Sequence, residues 1–407
     1  MHKVLRVTSM LLVLVLIIGI LPARIAASAS PTIAATIAIV MDYDTGEILY
    51  ERNAHARHIP ASMTKSLTAF IVYEEIEMGN ITLECMVPVS AFASRIASGG
   101  YGVQGNHVAM RAGSYHSVET MLRLAMLPSS NGASVALAEF ISGSEEAFTA
   151  RMNETAAELG MYAGFLNSHG ASVMHTTAYS IAILTREFIS RYPDILRITA
   201  MESMYFDGRR ITNTNLITRR GGQFFDSTVD GFKTGIIREA GWGHSVTAYR
   251  DGRRMIAVLM NSNSNEGRHR DALRLLDFGF AEAERRVPQT PINVTIDGMP
   301  VHFADQQPLL IGGRTLVPVA GVFQNLGFTT HWNERTRQVA LHRGNDVIVI
   351  TIGSNTFMVN TVYLPLDVPA HIIGGRTMLP ISALLQSVGY EVRWYEEVYT
   401  VAIYAQE

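Results

Sequence analysis

Lysine is scarce in this chain of 407 residues: of 33 Lys and Arg side chains, only Lys3, Lys65 and Lys233 are lysines. A guanidinium keeps its proton in a protein, whereas an ammonium group can be tuned until it releases one. A chain that writes arginine almost everywhere and keeps lysine at two sites of its main body points to amine chemistry there. Lys65 stands three residues after Ser62 in "PASMTKSLTAF" (60–70). The apolar residues Leu67, Phe70 and Ile71 predict a buried helix, with Ser62 and Lys65 on one face of its first turn. A desolvated lysine near the positive end of a helix can lose its proton and accept one from a serine hydroxyl. Ser-x-x-Lys alone is a common surface pairing and decides nothing.

Two further clusters change its weight. In "VDGFKTGII", Lys233 and Thr234 offer a cation and a hydroxyl to a carboxylate. Gly235 beside them lets a ligand backbone approach and pair with a strand edge. In "MLPSSNGASVALAEF", Pro128 ends one helix and the next begins near Asn131, which leaves Ser129 and Asn131 in a short polar break. That break also reads as a plain helix N-cap. Taken in order, Ser-x-x-Lys, Ser-x-Asn and Lys-Thr-Gly resemble the serine-acylating signature of penicillin-binding proteins and class A β-lactamases.

The elements around these clusters indicate how they are positioned. "IAIVMDYDTGEILYERN" and "GHSVTAYRDGRRMIAVLMN" read as hairpins, the second turning at Asp251-Gly252. Between and after them the periodicity predicts helices over 66–78, 117–126, 131–141, 178–190 and about 270–285. Strands at both ends with helices between imply an α+β domain whose terminal segments share one antiparallel sheet. "RRVPQTPIN" (285–293) reads as a linker. Beyond it an internal repeat appears: "GGRTLVPVAGVFQNLGFTTHW" aligns with "GGRTMLPISALLQSVGYEVRW", carrying Arg314 onto Arg376 and Trp332 onto Trp394 at an offset of 62 residues. Each copy predicts a strand, a short helix, a glycine stop and a hairpin, and the two copies are expected to share one core.

A net charge of -3 gives no case for nucleic acid as a partner. Lys3 and Arg6, an apolar run over 10–21 and the small-residue stretch "AASAS" predict a secretory signal with cleavage after Ala29, an uncleaved anchor being the alternative, hence an exported protein. The expected organisation is a signal peptide over 1–29, a catalytic domain over 30–286 and a strand-rich two-repeat domain over 287–407. Cys85 is the sole cysteine, which excludes an intramolecular disulfide, and is expected to be an inert core thiol. The spacing in "HARHIP" suits no metal, and no ligand set recurs between the repeats, so neither metal nor cofactor is expected.

From about Ala35 to Arg285 the chain resembles the low-molecular-mass D-alanyl-D-alanine carboxypeptidases, serine peptidases of the S11 type. The likeness runs through "IVMDYDTGEILYERNAHARHIPASMTKSLTAF", "SSNGASVALAE", "FLNSHGASVMHTTAYSIAIL" and "VDGFKTG". It implies a penicillin-binding-protein fold, with Ser62 as the acylated nucleophile and Lys65 as its general base. Ser129 would relay a proton towards the leaving group and Asn131 would hold the substrate backbone. Lys233 and Thr234, with Gly235, would bind the terminal carboxylate. The backbone N–H groups of Ser62 and Ile236 would form the oxyanion hole. The implied partners are peptidoglycan stem peptides ending in D-Ala-D-Ala, with β-lactam antibiotics as covalent inhibitors. Two positions depart from the family: Ile236 where His is frequent, and Gly132 where Asp is frequent. An altered rate or substrate preference is expected from them.

The C-terminal repeat resembles the copper amine oxidase N-terminal domain through its GGRT-x2-P and Gly-x4-Trp elements. It is read as an adhesive or spacing module towards the cell wall. Two rival readings stand beside the carboxypeptidase. One is a class A-like β-lactamase, for which Glu154 and Glu158 lie downstream of Ser129 but in what reads as an ordinary amphipathic helix. The other is a non-catalytic wall-binding or penicillin-sensing protein.

Overall fold

The computed structural model describes residues 30–286, 291–311, 314–373 and 375–405. The predicted signal peptide, and residues 287–290 of the predicted linker, lie outside them. Among the described residues no helix is long and apolar enough to cross a membrane.

A five-stranded antiparallel sheet organises the first part of the chain. Its strands are β1 (Ile37–Asp42), β2 (Ile48–Arg52), β3 (Val229–Ile237), β4 (Gly241–Arg250) and β5 (Arg253–Ser262). They lie in the order β2-β1-β5-β4-β3, so the two ends of this region pair, as expected. Every residue of β1 is buried because both faces are covered. Ala38 and Val40 pack with Leu275 and Leu276 of the last helix, whereas Ile39 and Met41 pack with Ile181 and Ala182 of an earlier one. The β4–β5 turn places Asp251 and Gly252 at φ 47° and 82°, the left-handed pair that a tight hairpin needs.

The helices are α1 (Lys65–Glu77), α2 (Ala91–Ala97), α3 (Val118–Met126), α4 (Asn131–Ser142), α5 (Glu145–Glu158), α6 (Ala178–Arg191) and α7 (Asn265–Arg286). All but α2 and α5 follow predicted spans; α2 had none, and α5 extends the helix read around Glu154 and Glu158. Helix α7 begins five residues earlier than its periodicity indicated. All of Lys65 to Tyr73 is buried, so α1 runs through the middle of a helical cluster instead of along its surface. Serine caps start α3 and α4: Ser117 Oγ accepts from Thr120 N–H and Ser130 Oγ from Ala133 N–H. Cys85 is half-buried at the edge of that cluster, not within its core, and its sulfur accepts from Thr82 N–H.

The second part has its own apolar core. Its first copy contains β6 (Arg314–Pro318), α8 (Val319–Phe323) and β7 (Thr329–Asn333), and its second β8 (Arg376–Pro380), α9 (Ile381–Gln386) and β9 (Tyr390–Tyr395). Strands β6 and β8 pair antiparallel about Val317 and Leu379, which are repeat equivalents, so the copies are related by a local two-fold through that pair. Two ion pairs repeat the symmetry: Arg314 with Asp367, and Arg376 with Asp305. The copies thus share one core, as the repeat suggested.

Candidate active site

Ser62 lies in a single 3-10 turn (Ala61–Thr64) that runs directly into α1, and Ala61 ahead of it takes a left-handed φ of 48°. The turn lifts Ser62 to the margin of the buried region, at 7% exposure, while Lys65 one turn later is fully buried. Lys65 Nζ stands 2.9 Å from Ser62 Oγ, 2.8 Å from Asn131 Oδ1 and 2.7 Å from the His169 carbonyl. The last two atoms can only accept. A neutral amine therefore gives its two N–H bonds to them and turns its lone pair to the serine, whose O–H donates. Burial holds the Lys65 pKa well below the ordinary lysine value, the Lys233 charge pushes it the same way, and Glu145 opposes.

Two of these acceptors are fixed from outside α1. Because Ser130 caps α4, the Asn131 side chain is free for another use. Its Oδ1 faces Lys65 and its Nδ2 donates to the Gln104 carbonyl at 2.9 Å. The N-cap reading thus belongs to Ser130, not to its neighbours. The His169 carbonyl comes from a loop in which Asn167 Oδ1 accepts from the N–H groups of His169 and Gly170. A β-carbon on Gly170 would sit 1.9 Å from the Ala61 carbonyl, so only glycine lets this loop close on the Ser62 turn. Residue-by-residue reading assigned no role to His169: its contribution is a backbone carbonyl, and any residue type carries one.

Strand β3 is the edge strand next to the same turn. Lys233 and Thr234 are buried on it, and Ile236 is half-buried. Among the described residues Lys233 Nζ makes one hydrogen bond, to the Thr234 carbonyl at 3.1 Å. Burial, with the Arg268 charge, lowers the Lys233 pKa to about 7. Thr234 Oγ1 lies 2.6 Å from Thr214 Oγ1, and Arg268 Nη1 donates to the Gly235 carbonyl at 3.2 Å. A β-carbon at Gly235 would lie 2.6 Å from the Pro60 carbonyl. The glycine therefore lets β3 lie against the Ser62 turn, a requirement in addition to ligand access. Thr214 and Arg268 stand in no motif that singled them out.

Ser129 occupies the break between α3 and α4 at φ 67°. Its hydroxyl is buried and has no hydrogen-bond partner among the described residues. A left-handed non-glycine and an unpaired buried hydroxyl each cost free energy, a combination typical of functional sites. Gly132 has a packing reason: a β-carbon there would stand 2.4 Å from Ala97 Cβ, where α4 crosses α2. Glu154 and Glu158 are both exposed on α5.

Comparison with known proteins gives these features a family. Residues 24–264 match the family described as D-alanyl-D-alanine carboxypeptidase, and residues 295–403 match the copper amine oxidase N-terminal domain. Among the described residues no group of three or more His, Cys, Asp or Glu side chains is placed to hold a metal ion. The chain is 32% identical over 255 residues to D-alanyl-D-alanine carboxypeptidase DacF of Bacillus subtilis, a match covering 61% of this chain and 62% of that one. It superposes on penicillin-binding protein 6B of Escherichia coli with a TM-score of 0.58 at 27% identity, over 84% of this chain and 97% of that one. A third similar structure is penicillin-binding protein D2 of Listeria monocytogenes in its cefotaxime-bound form, with a TM-score of 0.52 and 26% identity over 62% and 100% of the two chains. The family match spans more than half of the sequence, and the chain belongs to the D-alanyl-D-alanine carboxypeptidase family.

Proposed function

We propose that this protein is a serine-type carboxypeptidase that removes the terminal D-alanine from peptidoglycan stem peptides ending in D-Ala-D-Ala. The observation that carries the reading is the Lys65 amine, buried between two obligate acceptors with its third contact on Ser62. In the first step neutral Lys65 takes the Ser62 proton, and Oγ attacks the carbonyl of the penultimate residue. The peptide bond breaks, and the leaving amine receives a proton by way of Ser129, whose unpaired hydroxyl is available for that relay. Water then hydrolyses the ester and restores Ser62. Asn131 holds Lys65 and the substrate backbone, while Lys233 and Thr234 receive the terminal carboxylate. Gly235 and Ile236 lie on the open edge of β3, where a peptide adds as a further strand. The N–H groups of Ser62 and Ile236 stabilise the tetrahedral oxyanion.

β-Lactams acylate the same serine and act as covalent inhibitors. The protein is exported and works at the cell surface, with residues 30–286 as the catalytic domain, residues 287–407 as a wall-contacting domain and 1–29 as the leader. The lactamase alternative loses ground because Glu154 and Glu158 both face solvent, whereas rapid deacylation needs a carboxylate aimed at the ester. Mass spectrometry after incubation with benzylpenicillin tests the assignment. One adduct on the peptide containing Ser62, absent from Ser62→Ala, together with D-alanine release from a small D-Ala-D-Ala peptide, is the expected result. An adduct elsewhere, or acylation without D-alanine release, would remove the carboxypeptidase reading.

A further inference from the structure

The internal repeat builds the same groove twice. At the offset of 62 residues, Trp332 corresponds to Trp394, Pro318 to Pro380 and Ala320 to Ser382, while Arg376 corresponds to Arg314 and Thr377 to Thr315. The first member of each pair lines one cavity and the second lines another. In each groove the tryptophan and the first turn of the short helix come from one copy. The Arg-Thr pair comes from the other copy, across the β6–β8 pairing. Identical residues at core positions such as Pro318 and Pro380 follow from packing. The tryptophans do so only in part: each lies across from a buried valine, Val339 or Val401, and Trp394 packs edge-on against Tyr399, yet they remain 45% and 40% exposed. Exposed indole surface at equivalent places of the two copies exceeds what that packing needs, and exposed aromatic surface marks a binding site.

The neighbours define what binds. The groove at Trp394 has a volume of about 460 Å³, within the range of roughly 300–1,000 Å³ usual for ligand clefts. Beside the indole stand Arg314, Ser382, Gln386 and Arg393, which are hydrogen-bonding side chains. The charges there are already matched: Arg314 pairs with Asp367 and Arg393 with Glu391, as Arg376 pairs with Asp305 at the other groove. Neutralised charge gives no attraction for a polyanion such as nucleic acid. A flat apolar plate edged by planar hydrogen-bonding groups suits a pyranose ring, which has apolar C–H faces and a rim of hydroxyls.

We infer that the two grooves are subsites for a neutral glycan strand. The groove at Trp332 opens into a wider cleft, also lined by Tyr43, Arg186 and Ser190 of the first domain, so a strand held there would touch both domains. This inference deepens the wall-contact part of the proposed function and rests on that part, but it does not depend on the chemistry at Ser62.

The test uses the full chain, with a hexamer of β-1,4-linked N-acetylglucosamine as probe and a β-1,4-glucose hexamer beside it. Isothermal titration calorimetry, which needs neither indole as a reporter, is expected to show saturable binding. Trp332→Ala and Trp394→Ala should each weaken it about tenfold, and the double variant should abolish it. Ser382→Arg, which fills the second groove from the half-buried first turn of α9, should weaken binding as much as Trp394→Ala does without touching either indole. Preference for the N-acetylated hexamer assigns wall glycan as the source, and equal affinity assigns neutral polysaccharide in general. Absence of binding, undiminished binding by a folded double variant, or a loss on one tryptophan alone overturns the two-groove inference. Labelling of Ser62 by fluorescent penicillin, read on the same variants, should be unchanged, so failure of the glycan site and failure of the acylation reading are told apart.

Discussion

Replacing Lys65 by Met tests whether the buried amine is neutral. Methionine keeps the length and burial of the side chain but cannot bind a proton. In the unfolded chain Lys65 holds its proton up to a pH of about 10.4. In the folded chain burial depresses its pKa, helped by the Lys233 charge only where Lys233 is protonated, so between the two values folding expels a proton. The unfolded state then binds more protons, and stability rises with pH and falls as pH is lowered, at about 1.4 kcal/mol per pH unit from this group. Lys233, lowered to about 7, adds a similar slope in both proteins, which cancels in the comparison. Between about pH 8 and pH 9.5 the wild-type chain should therefore gain about 2 kcal/mol relative to Lys65→Met. Urea unfolding followed by circular dichroism at those two pH values measures the difference. The same variant, and Lys65→Arg with its permanent charge, should lose β-lactam acylation by roughly 10²–10⁴-fold, the usual contribution of a general base. Parallel stability curves would mean that Lys65 keeps its proton in the fold, and the neutral-base argument would be refuted.

Two shorter tests address the rest of the site. Gly132→Asp, which restores the residue frequent in the family, should destabilise the chain by roughly 1–3 kcal/mol, because its β-carbon would overlap Ala97 Cβ; an unchanged melting temperature would show that α2 yields freely. Since only protonated Lys233 attracts a carboxylate and its pKa is about 7, kcat/KM for a peptide with a free C-terminus should fall as pH rises past 7. A C-terminally amidated analogue should lack that limb, and a flat profile for the free acid between about pH 6.5 and 8.5 would count against the carboxylate role.

The helices and hairpins were legible because their signals are local. Hydrophobic period set the spans of α3, α4 and α6, and Asp251-Gly252 marked its turn. The apolar periodicity of α7 starts only near residue 270, because its first turns carry Arg268 and His269 in place of apolar residues, yet both are buried and Arg268 donates to the carbonyls of Gly235 and Gly243 on β3 and β4. The order of the three motifs named the family and drew Ser62, Lys65, Ser129, Asn131 and Lys233 into one hypothesis. Local pattern did not say which of Ser129, Ser130 and Asn131 caps α4, since all three are small polar residues at one helix start.

By itself the sequence determined which side chains were available for chemistry: one serine with a lysine a turn away, a second lysine on a strand, and arginine wherever charge alone was needed. Tertiary structure decided the protonation state of that chemistry. A lysine becomes a base only when its charged form is disfavoured; here α4 and the loop carrying the His169 carbonyl bury it and the Lys233 charge repels it, groups brought to Lys65 from 66, 104 and 168 residues away in the chain. Dielectric and distance act through space, so no reading confined to neighbours along the chain contains them.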